Sequence, residues 1–137
     1  MKDELVSFEV AKLAKEKGFN LKCYWFCTYK RKVPTNEQSF FPELGQYKDF
    51  NESSKGFYEF FSLPTQSLLQ RWLREVHNIE ASVLPIWDDL EDIRKDLPKY
   101  YYWNYYLDTF NLNKKDECKT YEEALEKGLK VALELIK

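Results

Sequence analysis

Glycine is scarce in this chain, with four residues in 137. None of them builds the glycine-rich loop that wraps a phosphate. The G-x-S-x-G, H-E-x-x-H and D-F-G elements are missing as well, which removes the common cytosolic enzyme classes without excluding an enzyme outright. Histidine occurs once, as His77. Three cysteines, an odd number, cannot close a disulfide framework. A reducing, cytoplasmic setting is therefore expected. A positive excess is also absent, since the formal net charge is -2. A protein that mainly grips a nucleic acid backbone usually carries such an excess, although a local basic patch stays open. No stretch approaches the ~20 apolar residues that cross a bilayer. The first residues lack the apolar region of a signal peptide, so a soluble protein with no membrane partner is expected.

What the chain has is aromatic. Tyr, Phe and Trp make up 18% of it, more than a core of this size hides, so some rings are expected at a surface or interface. Hydrophobic residues reach 44%, enough to fold without disulfides or metal. One domain over residues 1–137 is expected from the length.

Hydrophobic spacing predicts a helix over 3–17, or a shorter one capped by Ser7, with Gly18 as the left-handed stop. A strand over 21–30 follows. Residues 31–56 then read as one long loop, punctuated by Pro34, Pro42, Gly45, Asn51 and Ser53. Residues 57–62 read as a short strand that Pro64 ends. Thr65 then caps a helix reaching His77, with Leu68, Leu69, Trp72, Leu73 and Val76 on its apolar stripe. Residues 79–86 and 100–107 read as strands, separated by an acidic connector over 88–96. Thr120 and Glu123 form a T-x-x-E capping box for a last helix over 120–136. These elements predict an α+β domain. A single, mainly antiparallel sheet of three or four strands would carry two or three packed helices.

Pro64-Thr65-Gln66-Ser67-Leu68-Leu69-Gln70-Arg71-Trp72-Leu73-Arg74-Glu75-Val76-His77-Asn78-Ile79 resembles a signature of small proteins encoded by phages and prophages of gut anaerobic bacteria. The segments Val6–Leu13, Lys15–Phe19 and Thr120–Leu129 are similar to the start and end of those proteins. Together the blocks cover roughly a third of the chain. The resemblance implies a phage or prophage origin. It brings no catalytic residues and no cofactor.

Cys23 and Cys27 lie about 13 Å apart on an extended strand, too far to share a zinc ion, so no metal site is expected there. Asp88, Asp89, Glu91, Asp92 and Asp96 lack the alternating ligands and turn glycine of a calcium loop and read as a solvated connector. His77 reads as a helix-end contact. Lys30, Arg31 and Lys32, with Arg71 and Arg74, are candidate phosphate contacts, weighed against plain solubilising charge.

The run Tyr100-Tyr101-Tyr102-Trp103-Asn104-Tyr105-Tyr106 is the strongest binding candidate. One face of such a strand would carry Tyr101, Trp103, Tyr105 and Leu107, and the other Tyr100, Tyr102, Asn104 and Tyr106. An amide is costly to bury unpaired, so the Asn104 face is expected to be the open one. Tyr100, Tyr102 and Tyr106 are then the candidate binding rings. The leading expectation is a non-enzymatic phage protein that binds a host or phage macromolecule and self-associates. A nucleotide-sequestering or processing protein is the alternative, and a nucleic-acid binder the third reading.

Overall fold

The computed structural model describes residues 3–30, 42–53 and 58–137. Among these residues the fold is α+β, with four helices and two three-stranded sheets, not the single sheet expected from the sequence. Contacts divide the chain into two compact units, Met1–Leu68 and Leu69–Lys137, and each unit holds one sheet. The six strands among the described residues are shared between the two units, three in each, so they do not line up in one row.

In the first unit, Ser7 caps α1 (Phe8–Glu16) by accepting from the Val10 amide at 3.3 Å, so the shorter helix is the one formed. Gly18 follows it at φ +92, as its place after the helix requires. The sheet has the order β2-β1-β3, with β1 (Cys23–Lys30) central between β2 (Glu43–Lys48) and β3 (Tyr58–Ser62), all antiparallel. β2 and the 3-10 turn Phe50–Glu52 correct the expectation of a structureless stretch over 31–56; residues 31–41 and 54–57 lie outside the described residues. The turn is held by an exchange with β3. Ser62 Oγ accepts from the Phe50 amide at 3.0 Å, and Asn51 Oδ1 accepts from the Ser62 amide at 2.9 Å. α1 lies on β3, where Phe8 meets Phe61 edge-on at 5.1 Å.

α2 (Gln66–His77) begins where expected, with Thr65 Oγ1 accepting from the Leu68 amide at 3.2 Å. The division between the units falls after its first turn. Its stripe narrows to Leu69, Trp72 and Leu73, all buried, while Val76 is exposed, contrary to expectation. Asn78 takes φ +56 and ends the helix.

In the second unit the sheet has the order β4-β5-β6, built from β4 (Glu80–Ile86), β5 (Lys99–Tyr106) and β6 (Thr109–Leu112), again all antiparallel. β6 lies beyond the expected strands. α3 (Leu90–Lys95) occupies the acidic connector, capped by Asp89 and with no buried residue. α4 (Tyr121–Glu134) starts with Thr120 Oγ1 accepting from the Glu123 amide at 3.1 Å. It packs on β4 and β5, and its Leu125, Leu129, Ala132 and Leu133 are buried with Ile79, Ala81 and Val83.

Gly128 sets how close α4 comes. A Cβ built there would sit 2.9 Å from the Cβ of Tyr102. Intrinsic propensity would reward Gly128→Ala with about 1 kcal/mol. The opposing atom, however, is fixed to the β5 backbone and cannot swing aside, so the helix would have to lift. We expect Gly128→Ala to destabilise the protein by about 1–2 kcal/mol in urea melts. A variant more stable than the parent would show that the helix has room to spare.

Candidate binding surface

The α4 contact decides which face of the second sheet is covered, and it is the reverse of the face expected. Tyr102 lies against Gly128, and Tyr100 meets Tyr121 of α4 edge-on at 6.4 Å. Asn104 shares their side of β5 and is 3% exposed. Its Oδ1 accepts no hydrogen bond, an arrangement that typically costs about 1–3 kcal/mol. The Asn104 amide therefore does not mark the open face; closely packed apolar surface around it outweighs one orphaned acceptor. The Tyr102 hydroxyl accepts from Asn113 Nδ2 at 2.7 Å, which occupies the polar end of that ring. Tyr106 falls on the same side by alternation and is half-buried.

The opposite face is the open one. In β5 it carries Lys99, Tyr101, Trp103 and Tyr105. Cross-strand register adds Glu80, Ser82, Leu84 and Ile86 from β4, and Phe110 and Leu112 from β6. Phe110 is 57% exposed, Tyr105 41% and Leu84 40%. Trp103 and Phe110 hold their rings 5.4 Å apart, tilted by 41°. Leu107, at the tip of the β5–β6 hairpin, is exposed too.

The charges framing this face are of both signs. Glu80 pairs with Arg74 at 3.8 Å, and Asp108 accepts from the Tyr105 hydroxyl at 3.0 Å. Lys99, a second cation besides Arg74, is held by Asp88 at 2.7 Å and Glu117 at 3.2 Å. Those two contacts raise the Lys99 pKa further above its ordinary value. The Tyr101 phenol is also raised, first by desolvation and then by the Glu117 and Asp88 carboxylates.

The candidate phosphate contacts do not assemble into a described site. Arg71 pairs with Glu75 at 3.7 Å and Arg74 with Glu80, both in the second unit. Lys30 ends β1 in the first unit, and its side chain lies outside the described residues, as do Arg31 and Lys32.

The first unit has a cleft of its own, of about 730 Å³, that sequence reasoning missed. Its floor is aromatic. Phe26 stacks on Phe50 at 4.6 Å and meets Phe60 at 5.7 Å, and Gly45 lies against the first two rings with no room for a Cβ. Lys22, Lys48, Asp49 and Glu52 line it as well. Lys48 Nζ stands 5.3 Å from the Phe50 ring centre. The Asp49 carboxyl is raised above its ordinary value, chiefly by burial, against the lowering effect of the Asn51 amide it accepts from. No sequence signal marked this cleft, because its lining is scattered over β1, β2, the 3-10 turn and β3.

No group of three or more His, Cys, Asp or Glu side chains suited to a metal ion occurs among the described residues. No helix among them is long and apolar enough to cross a membrane. No family model matches this chain, and neither the curated proteins nor the solved structures contain a match.

Cys23, Cys27 and Cys118 are free and buried. Burial pushes the Cys27 thiol up from 9.0 to about 12, and Glu43 adds to the shift. It raises Cys23 and Cys118 as well. The reactive thiolate is thus suppressed in the folded chain. A thiol raised on folding contributes full stability below its unfolded value and loses it as pH climbs through the folded one. Titration with an aromatic disulfide reagent at neutral pH should label no cysteine until denaturant is added. Stability should decline between about pH 9 and about pH 12. Rapid labelling of one thiol in the native protein would contradict the buried placement.

Proposed function

We propose that this protein is a binding protein that recognises another protein through the open aromatic face of β4-β5-β6. The observation that carries the reading is the pairing of Tyr105 with Phe110 beside Trp103, on the side of the sheet that α4 leaves uncovered. Aromatic side chains supply large contact area at low entropic cost and are enriched where proteins meet. Around the face Glu80, Asp88, Asp108 and Glu117 are matched by Arg74, Lys99, Lys114 and Lys115, so it lacks the positive excess that a nucleic acid backbone calls for and suits a protein ligand better. On this reading the ligand is a host or phage macromolecule in the bacterial cytoplasm, as the resemblance of the Pro64–Ile79 block to phage-encoded proteins implies.

The test is proximity cross-linking in bacterial cells with the parent and the Tyr105→Ser/Phe110→Ser variant as baits. Both changes lie on exposed side chains, so the variant should keep its circular dichroism spectrum and lose the cross-linked partner. An unchanged partner set would move the function to another surface.

The aromatic cleft of the first unit supports a second reading, the sequestering of a small molecule such as a nucleotide. A base would lie against Phe26 and Phe50, and Lys22 and Lys48 would face its phosphates. A thermal-shift series with nucleotides should raise the melting temperature of the parent and not of Lys22→Gln/Lys48→Gln. No shift with any nucleotide removes this reading.

A further inference from the structure

We infer that β6 is a homodimerisation edge, which pairs antiparallel with β6 of a second copy about a two-fold axis at Asn111. β6 is the outer strand of its sheet, and its four residues Thr109-Phe110-Asn111-Leu112 pair with β5 alone among the described residues. Thr109, Phe110 and Asn111 are consecutive and all exposed, so both faces of the strand and the row of backbone groups along it are accessible. Proteins usually guard such an edge with a charge, a proline or a bulge within the strand. β6 contains none of these. The other outer strand is treated differently: on β4 the Ala81 carbonyl accepts from Gln70 Nε2, and the strand contains Pro85.

The occupant is a second copy because the two ends of this edge complement each other. Asp108 precedes the strand, and Lys114 and Lys115 follow it. Lys114 and Lys115 are exposed, and none of the three makes an ion pair with a described residue. An antiparallel pairing of identical strands sets the start of one against the end of the other.

The register follows from side-chain alternation. Pairing Phe110 with Asn111 would set the aromatic face of one copy beside the helix-covered face of the other, so the axis must pass through a residue rather than between two. With the axis at Phe110, Asp108 would lie opposite Leu112 and Lys114 opposite Tyr106. With the axis at Asn111, Phe110 lies opposite Leu112 and Asp108 opposite Lys114, so both acidic ends meet basic ones. The second arrangement is the one we assign. It joins two three-stranded sheets into one of six strands, with both aromatic faces on the same side. A four-residue edge buries less than the ~1,200 Å² of a standard interface, so the dimer should be reversible and concentration-dependent.

Sedimentation velocity over a concentration series tests the association, and cysteine cross-linking tests the register. The parent should pass from monomer to dimer as concentration rises. Asn111→Lys places two ammonium groups face to face and should stay monomeric with an unchanged circular dichroism spectrum. Lys114→Asp should weaken the dimer at low salt, and Asp108→Lys/Lys114→Asp should restore it. Asn111→Cys should oxidise to a covalent dimer, because directly opposed residues in such a pair lie within disulfide reach. Phe110→Cys should not. Three results overturn the proposal: a parent that is monomeric at every concentration, leaving the edge to a strand of another protein; a dimer indifferent to Asn111→Lys; or cross-linking at position 110 in place of 111. Monomeric Asn111→Lys keeps Tyr105 and Phe110, so it should still capture any partner of the aromatic face. That separates failure of the dimer from failure of the binding role.

Discussion

The close approach of α4 to β5 at Gly128 is the constraint on which the second unit depends. Because one residue lacks a side chain, the helix settles onto Tyr102, and Ala81, Val83, Leu125, Leu129 and Leu133 close over the same side of the sheet. That choice orphans the Asn104 carbonyl and leaves Tyr105, Phe110 and Leu84 in water. Burial of Val83, Leu125, Leu129 and Leu133, each worth about 1.5–3 kcal/mol, outweighs a single lost hydrogen bond. The open aromatic face is therefore a by-product of where the helix packs, and any partner exploits a surface that the fold had to leave somewhere.

The first unit is organised differently. Its short strands and its 3-10 turn depend on polar cross-links, with Ser62 and Asn51 exchanging hydrogen bonds and Asn51 Nδ2 also donating to the Phe19 carbonyl at 2.9 Å. The N-terminal segment is tied down by backbone bonds from Val6 to Pro64 and from Gln66 to Glu4, and by Ser67 donating to Asp3. These contacts hold the stacked Phe26 and Phe50 at the cleft floor, where burial of apolar area alone would not place them so exactingly. An aromatic ligand would meet a surface shaped in advance, with little ordering left to do.

α1, α2 and α4 were legible because capped ends frame an apolar stripe: Ser7, Thr65 and Thr120 cap where their side chains reach the third amide, and Gly18 and Asn78 stop at positive φ. β2 was illegible because five of its six residues are exposed, which leaves no alternation to read. α3 buries nothing, so its sequence looks like a solvated connector. β6 is only four residues long, and the turn before it lacks the Asn-Gly or Asp-Gly signal of a tight hairpin. The orientation of β5 could not be read at all. Rings occupy both of its faces, and the deciding contact comes from Gly128, twenty-six residues beyond Tyr102 in the chain. The division of the strands between two sheets is likewise set by tertiary packing, since antiparallel pairing places few demands on composition.

Leu107 and Asp108 carry β5 into β6 with φ of +51 and +61. Two successive left-handed residues give the turn whose twist suits a two-residue hairpin; Asp108 tolerates this conformation, but Leu107 is not a residue that adopts it at little expense. Leu107 gains nothing from packing in return, since it is 72% exposed. The strain must be carried by the short ladder to β5, whereas α4 packs on β4 and β5. Local stability in this unit should therefore fall steeply from the helix-covered strands toward the hairpin tip. The amides of β6 would exchange with solvent through brief local openings while those of β4 and β5 wait for global unfolding.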